Sequence, residues 1–141
     1  MIKCRVHYVS PKGCAEMVAE SIARVAKVPK EALLPAYLPV GVALMFLGCE
    51  GGKADKITLE FANSLNTNRV AHAALFCCNP KKSDAPIQQM KAALEAQGIK
   101  VLEQTFVTTA KGFFGGKNPS EADLKAAAEW AAACEKIVMG E

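Results

Sequence analysis

The sequence predicts an α/β chain in which a parallel sheet carries helices on both faces, a three-layer sandwich. Three observations carry this reading. Residues 2–26 (IKCRVHYVSPKGCAEMVAESIARVA) run as strand, tight turn and amphipathic helix. Residues 40–48 (VGVALMFLG) and 69–78 are almost unbroken apolar stretches, as strands covered on both faces should be. Strands and helices alternate to the end, and right-handed crossovers then favour parallel pairing.

In the first strand, Ile2, Cys4, Val6 and Tyr8 alternate with Lys3, Arg5 and His7. Val18, Ile22, Val25 and Ala26 then recur at helical spacing. Residues 28–39 contain Pro29, Pro35 and Pro39. They leave room for an irregular strand around Leu33-Leu34 but hardly for a full helix. A helix over 55–65 follows the strand at 40–48, with Ile57, Phe61 and Leu65 on its inward stripe. After the strand at 69–78, Ser83 or Asp84 can cap a helix with Pro86 in its first turn. Ile87, Met90, Ala93 and Leu94 form that helix's inner face, and Gly98 suits the position just past its end. Residues 99–108 read as a strand. Asn118-Pro119-Ser120-Glu121 reads as N-cap, first-turn proline and capping-box Glu. Leu124, Ala127, Ala128, Ala131, Cys134 and Val138 line one side of the last helix.

A strand covered on both faces should not carry Lys3, Arg5 and His7 on one side. A missing helix after residue 27 explains it, leaving a face that is either solvated or a protein interface, a homodimer included.

The chain has 141 residues, one domain over 1–141, enough to bury roughly 70% of its unfolded surface. Half of them are apolar, which argues against extensive disorder. A net charge of +3, from 17 basic and 14 acidic residues with no dense Lys/Arg run, argues against a nucleic-acid partner. Residues 1–5 lead into strand alternation rather than an apolar leader, and 40–48 is far too short to span a bilayer. The expectation is a cytoplasmic protein without a membrane partner, its six cysteines mostly reduced thiols. No C-x-x-C and no zinc-finger spacing occurs.

By element order and loop position the chain resembles the flavodoxin-like family over nearly its whole length. In flavodoxins the first turn reads roughly Ser/Thr-x-Thr-Gly-x-Thr and wraps the phosphate of flavin mononucleotide (FMN). The matching turn is Ser10-Pro11-Lys12-Gly13-Cys14-Ala15: Ser10 and Gly13 agree, while Lys12 and Ala15 replace the two threonines. Residues 47–65 (LGCEGGKADKITLEFANSL) resemble the loop and helix after the third strand, and 111–131 (KGFFGGKNPSEADLKAAAEWA) the final loop and helix. The resemblance implies strand order 2-1-3-4-5, here with a reduced or missing second strand and second helix. It also implies bound FMN and electron transfer to a redox partner protein, an electron-transfer module more than a stand-alone enzyme. Two features depart from the family. The loops after the third and fourth strands carry no aromatic residue to clamp a flavin ring, and the chain is slightly basic rather than acidic.

The candidate cofactor site is Ser10, Pro11, Lys12, Gly13, Cys14, Ala15, Cys49, Glu50, Gly51, Gly52, Cys78 and Asn79. A glycine turn entering a helix directs free N–H groups and the helix dipole at an anion. Ser10 adds a hydroxyl, Gly13 close backbone approach, and Lys12 a charge; the alternative is a plain β–α turn. Cys14, at the helix start beside Lys12, is either a low-pKa thiolate or a buried thiol without chemistry. Cys49, Cys77 and Cys78 fall at strand ends, so four thiols can gather at the edge where such folds bind ligands. Glu50-Gly51-Gly52 either runs a backbone N–H toward a flavin edge or forms a glycine turn. Asn79 either bonds a ring carbonyl or caps the turn with Pro80. Phe113 and Phe114 either cover a flavin from the last loop, where they are the aromatics best placed to do so, or close the core beneath it; Tyr37, between prolines, could reach the same edge. His7 and His72, inside strands, read as structural.

Three functions follow: an FMN-binding electron carrier; a flavin-free accessory protein binding a partner or another phosphate-bearing small molecule; or a cysteine-based redox or metal centre. No Ser–His–acid or Cys–His arrangement points to a hydrolase.

Overall fold

In a computed structural model, residues 2–33, 37–109 and 119–140 are described. The elements are β1 (Cys4–Tyr8), α1 (Cys14–Ala26), β2 (Lys30–Ala32), β3 (Val42–Glu50), α2 (Lys56–Asn63), β4 (Val70–Cys78), α3 (Ala85–Ala96), β5 (Lys100–Val101), β6 (Phe106–Thr108) and α4 (Glu121–Met139). All strand pairs are parallel, in the order β2-β1-β3-β4-β5, with β6 also on β4. The expected order and the reduced second strand are therefore present. No helix lies between β2 and β3 among the described residues.

Alternation along the strands divides the core into two layers. Val6, Leu44, Phe46, Ala74 and Phe76 face α1 and α4, meeting Val18, Ile22, Ala127, Ala131 and Cys134. Met45, Leu47, Ala73 and Leu75 face α2 and α3, meeting Phe61, Leu65, Ile87, Met90 and Leu94. Gly48 is required by a close approach: the Phe76 ring fills the space where its Cβ would stand.

Several boundaries differ from the sequence reading for local reasons. The strand expected around Leu33-Leu34 lies earlier, at β2, and Leu33 is a buried residue following it. The buried residues of α2 are Thr58, Phe61 and Ala62, with Leu65 buried just past its end and Ile57 exposed. Thr58 can be buried because its hydroxyl donates to Asp55 Oδ1 at 2.7 Å while its N–H bonds Oδ2 at 3.0 Å. The expected strand at 99–108 is two short pieces, since exposed Glu103, Gln104 and Thr105 carry the chain away from β4 between them. The N-cap of α4 is Ser120, in a capping box with Asp123 rather than Glu121; Asn118 lies outside the described residues. The polar side of β1 is only partly open: Lys3 is exposed and Arg5 half-buried, but His7 is buried against Phe61, ring centroids 5.3 Å apart.

The register sets the ends of the three central strands side by side, Tyr8 opposite Gly48 and Glu50 opposite Cys78. The turn after β1 and the loops after β3 and β4 thus meet at one edge of the sheet.

Candidate functional site

The turn after β1 holds a carboxylate. Ser10 Oγ donates to Glu50 Oε2 at 2.5 Å, Lys12 N–H to Oε1 at 2.8 Å and Ala15 N–H to Oε2 at 2.8 Å. Ser10 Oγ accepts in turn from Glu16 N–H at 2.9 Å. Gly13 makes this possible: as N-cap of α1 it sits at φ 92, a left-handed conformation that costs a glycine little. Three donors at the positive end of a 13-residue helix converge on one anion, and the anion belongs to the chain itself. Pro11 and Lys12 are exposed. Lys12 contributes its backbone N–H to this cluster, rather than the side-chain charge expected of it.

Cys14 and Cys78 are joined by a disulfide, Cα–Cα 6.4 Å. Cys14 is therefore not the free, activated thiolate the sequence allowed. The bridge ties the start of α1 to the end of β4, beside Glu50 on β3. The four remaining cysteines are free and buried. Burial pushes each thiol up to about 12, with help from Glu135 at Cys4 and Cys134, from the neighbouring Cys77 at Cys49, and from Asp84 at Cys77. Cys49 and Cys77 are register partners in the α2–α3 layer, whereas Cys78 points to the other face, since adjacent strand residues do. Four thiol positions thus gather at one edge as expected, but split across the sheet. Among the described residues no group of three His, Cys, Asp or Glu is arranged to hold a metal ion.

The loop backbones are largely self-satisfied. Gly51 N–H donates to Cys78 O at 3.0 Å, while Gly52 is exposed. Asn79 is buried; its Nδ2 donates to Ser83 O at 2.9 Å and its Oδ1 accepts from Ser83 N–H at 2.8 Å. Its side chain caps the 79–83 turn. Exposed lysines ring the edge: Lys12 after β1, Lys53 after β3, Lys81 and Lys82 after β4. Tyr37 is exposed, and Phe113 and Phe114 lie outside the described residues. His7 is buried; among the described residues its Nε2 has no hydrogen-bond partner, and Glu31 Oε1 stands 4.0 Å away; burial holds its pKa below the usual value.

These donors fit the phosphate end of FMN: a hydroxyl and two N–H groups already grip an oxyanion. The loops after β3 and β4 supply no clamp for the ring end, because the Asn79 amide and Gly51 N–H are engaged, Cys49 faces the α2–α3 layer, and 49–54 and 78–84 hold no aromatic side chain. The sequence reading missed two relationships, the Glu50 side chain in the turn and the Cys14–Cys78 bond. The only signals for them were an acidic residue ending a buried strand before Gly-Gly and two cysteines at one predicted edge.

No family model matches the sequence, and no curated protein matches it. Solved structures do. A flavodoxin from the domain Archaea matches with TM-score 0.71 at 15% identity, over 98% of this chain and 99% of its own. Oxidised flavodoxin 2 from Bacillus cereus matches with TM-score 0.69 at 16% identity, over 95% and 99%. A diflavin flavoprotein A3 from Nostoc sp. matches with TM-score 0.60 at 13% identity, over 99% and 95%. The chain has the flavodoxin-like fold. Among the described residues no helix is long and apolar enough to cross a membrane.

Proposed function

We propose that this chain binds a phosphate-bearing small molecule at the 10–16 turn, FMN being the one the flavodoxin resemblance implies, and serves electron transfer to a partner protein. The observation that supports this is the convergence of the Ser10 hydroxyl and the Lys12 and Ala15 N–H groups on a single oxyanion. FMN, when bound, supplies the redox chemistry. Ser10, Lys12 and Ala15 grip the phosphate, Gly13 sets the turn, and the surrounding lysines raise the local concentration of anions. The reading includes a redox protein, rather than nucleic acid or a membrane, as partner; the Cys14–Cys78 disulfide is unusual for the cytoplasmic setting expected from the sequence.

The test is the visible absorption spectrum of the purified protein before and after adding FMN and desalting. Retained flavin bands, lost in Gly13→Val and weakened in Ser10→Ala, are expected. A protein that stays colourless at micromolar FMN rejects the electron-carrier reading.

A second reading has its own observation. With the Asn79 amide and Gly51 N–H already engaged, a flavin-free protein of this fold would take a smaller phosphate ester at the same turn. It predicts phosphate binding without colour. A cysteine-based redox reading narrows to Cys14–Cys78, because the other thiols are buried and hard to ionise.

A further inference from the structure

We infer that Glu50 is a built-in competitor for the anion site, a side chain that any phosphate-bearing ligand must displace before it binds. The inference rests on the anion-site reading above. Glu50 takes the Ser10 hydroxyl and both the Lys12 and Ala15 N–H groups, so an incoming phosphate finds those donors occupied. The carboxylate has no ion-pair partner among the described residues. Its hold on the turn is hydrogen bonds and the helix dipole, the same interactions a phosphate would use. A phosphate carries more charge and a third oxygen, and so can outbid it.

The local chain suits exchange. Glu50 is the last residue of β3, and the next two residues are Gly51, at φ 96, and the exposed Gly52, with open space around its Cα. The carboxylate is half-buried, so it can swing to water without rearranging the core. The Cys14–Cys78 bond and the Glu50–Cys78 register keep the turn and the end of β3 together, which makes the competition intramolecular. If the turn is free of Glu50 for about a tenth of the time, apparent ligand affinity falls about tenfold.

The experiment titrates FMN and inorganic phosphate into the intact wild-type chain, Glu50→Ala and Glu50→Gln, reading flavin fluorescence and the shift in Tm, with riboflavin as the phosphate-free control. The expected result is FMN and phosphate affinity about tenfold or more higher in both variants, with riboflavin unaffected. Equal affinity in all three overturns the competitor and leaves the anion site standing. Weaker binding in the variants also overturns it, because Glu50 would then be building the site. No binding of any phosphate species to any variant overturns the anion-site reading and the competitor with it. Glu50→Gln keeps the side-chain volume if Glu50→Ala fails to fold. The wild type gives an independent check: saturating phosphate should move the Glu50 carboxyl carbon-13 resonance, and bound phosphate with that resonance unmoved overturns the proposal.

Discussion

Cys14 and Cys78 lie 64 residues apart in sequence, yet a disulfide joins them across the edge of the sheet where the turn after β1 and the loops after β3 and β4 meet. Closing a loop of that length restricts the unfolded chain. Reduction with a dithiol should lower stability by about 2–4 kcal/mol, seen as a drop in the urea midpoint with unchanged secondary structure below the transition. Coincident curves with and without reductant would mean that the bond constrains nothing the fold does not already hold.

The free thiols should be nearly inert in the native protein. With Cys4, Cys49, Cys77 and Cys134 each pushed up to about 12, roughly one part in ten thousand is thiolate at pH 8. Labelling by an aromatic disulfide reagent at pH 8 should be about a hundredfold or more slower than in urea, and then count four thiols without reductant. A fast-reacting native thiol would contradict both the burial and the pairing.

Gly48 and Phe76 share one volume between β3 and β4. Gly48→Ala forces the buried ring to move and should cost about 1–3 kcal/mol or more. Adding Phe76→Leu should return part of that loss, because the two positions are coupled. Additive effects in thermal unfolding would show that the ring has room elsewhere.

His7 gives a pH signature. Burial disfavours its charged form, Glu31 partly opposes this, and the net folded pKa is lowered from 6.5. Below pH 6.5 the unfolded chain therefore binds a proton that the folded chain resists, so the His7 contribution to stability falls as pH drops from 6.5 toward the folded pKa. Carboxylates titrate at the lower end of this range as well, so the informative quantity is a difference. Between pH 7.5 and 5.5, His7→Gln should lose less stability than wild type in urea unfolding; equal losses would mean that His7 is protonated in the fold.

The layered architecture was legible because β3 and β4 are apolar on both faces and α1, α3 and α4 carry their buried residues at helical spacing. Thr58 and Ile57 show where such reading falters. Hydrophobicity alone puts Ile57 inward, but Asp55 satisfies the Thr58 hydroxyl and lets the polar residue take the buried place. The 10–16 turn was legible too, since a glycine between a strand and a helix directs N–H groups outward whatever binds them.

Local pattern, through hydrophobic period, cap residues and turn glycines, determined the elements, the parallel sheet and the glycine turn that presents N–H groups at the start of α1. Each of these depends on residues only a few positions apart. The occupant of that turn and the partner of Cys14 were decided by tertiary structure alone. Glu50 reaches Ser10 across 40 residues, and Cys14 reaches Cys78 across 64. Both contacts exist because β3 lies between β1 and β4 in register, an arrangement set by packing the two core layers and carried by no local period.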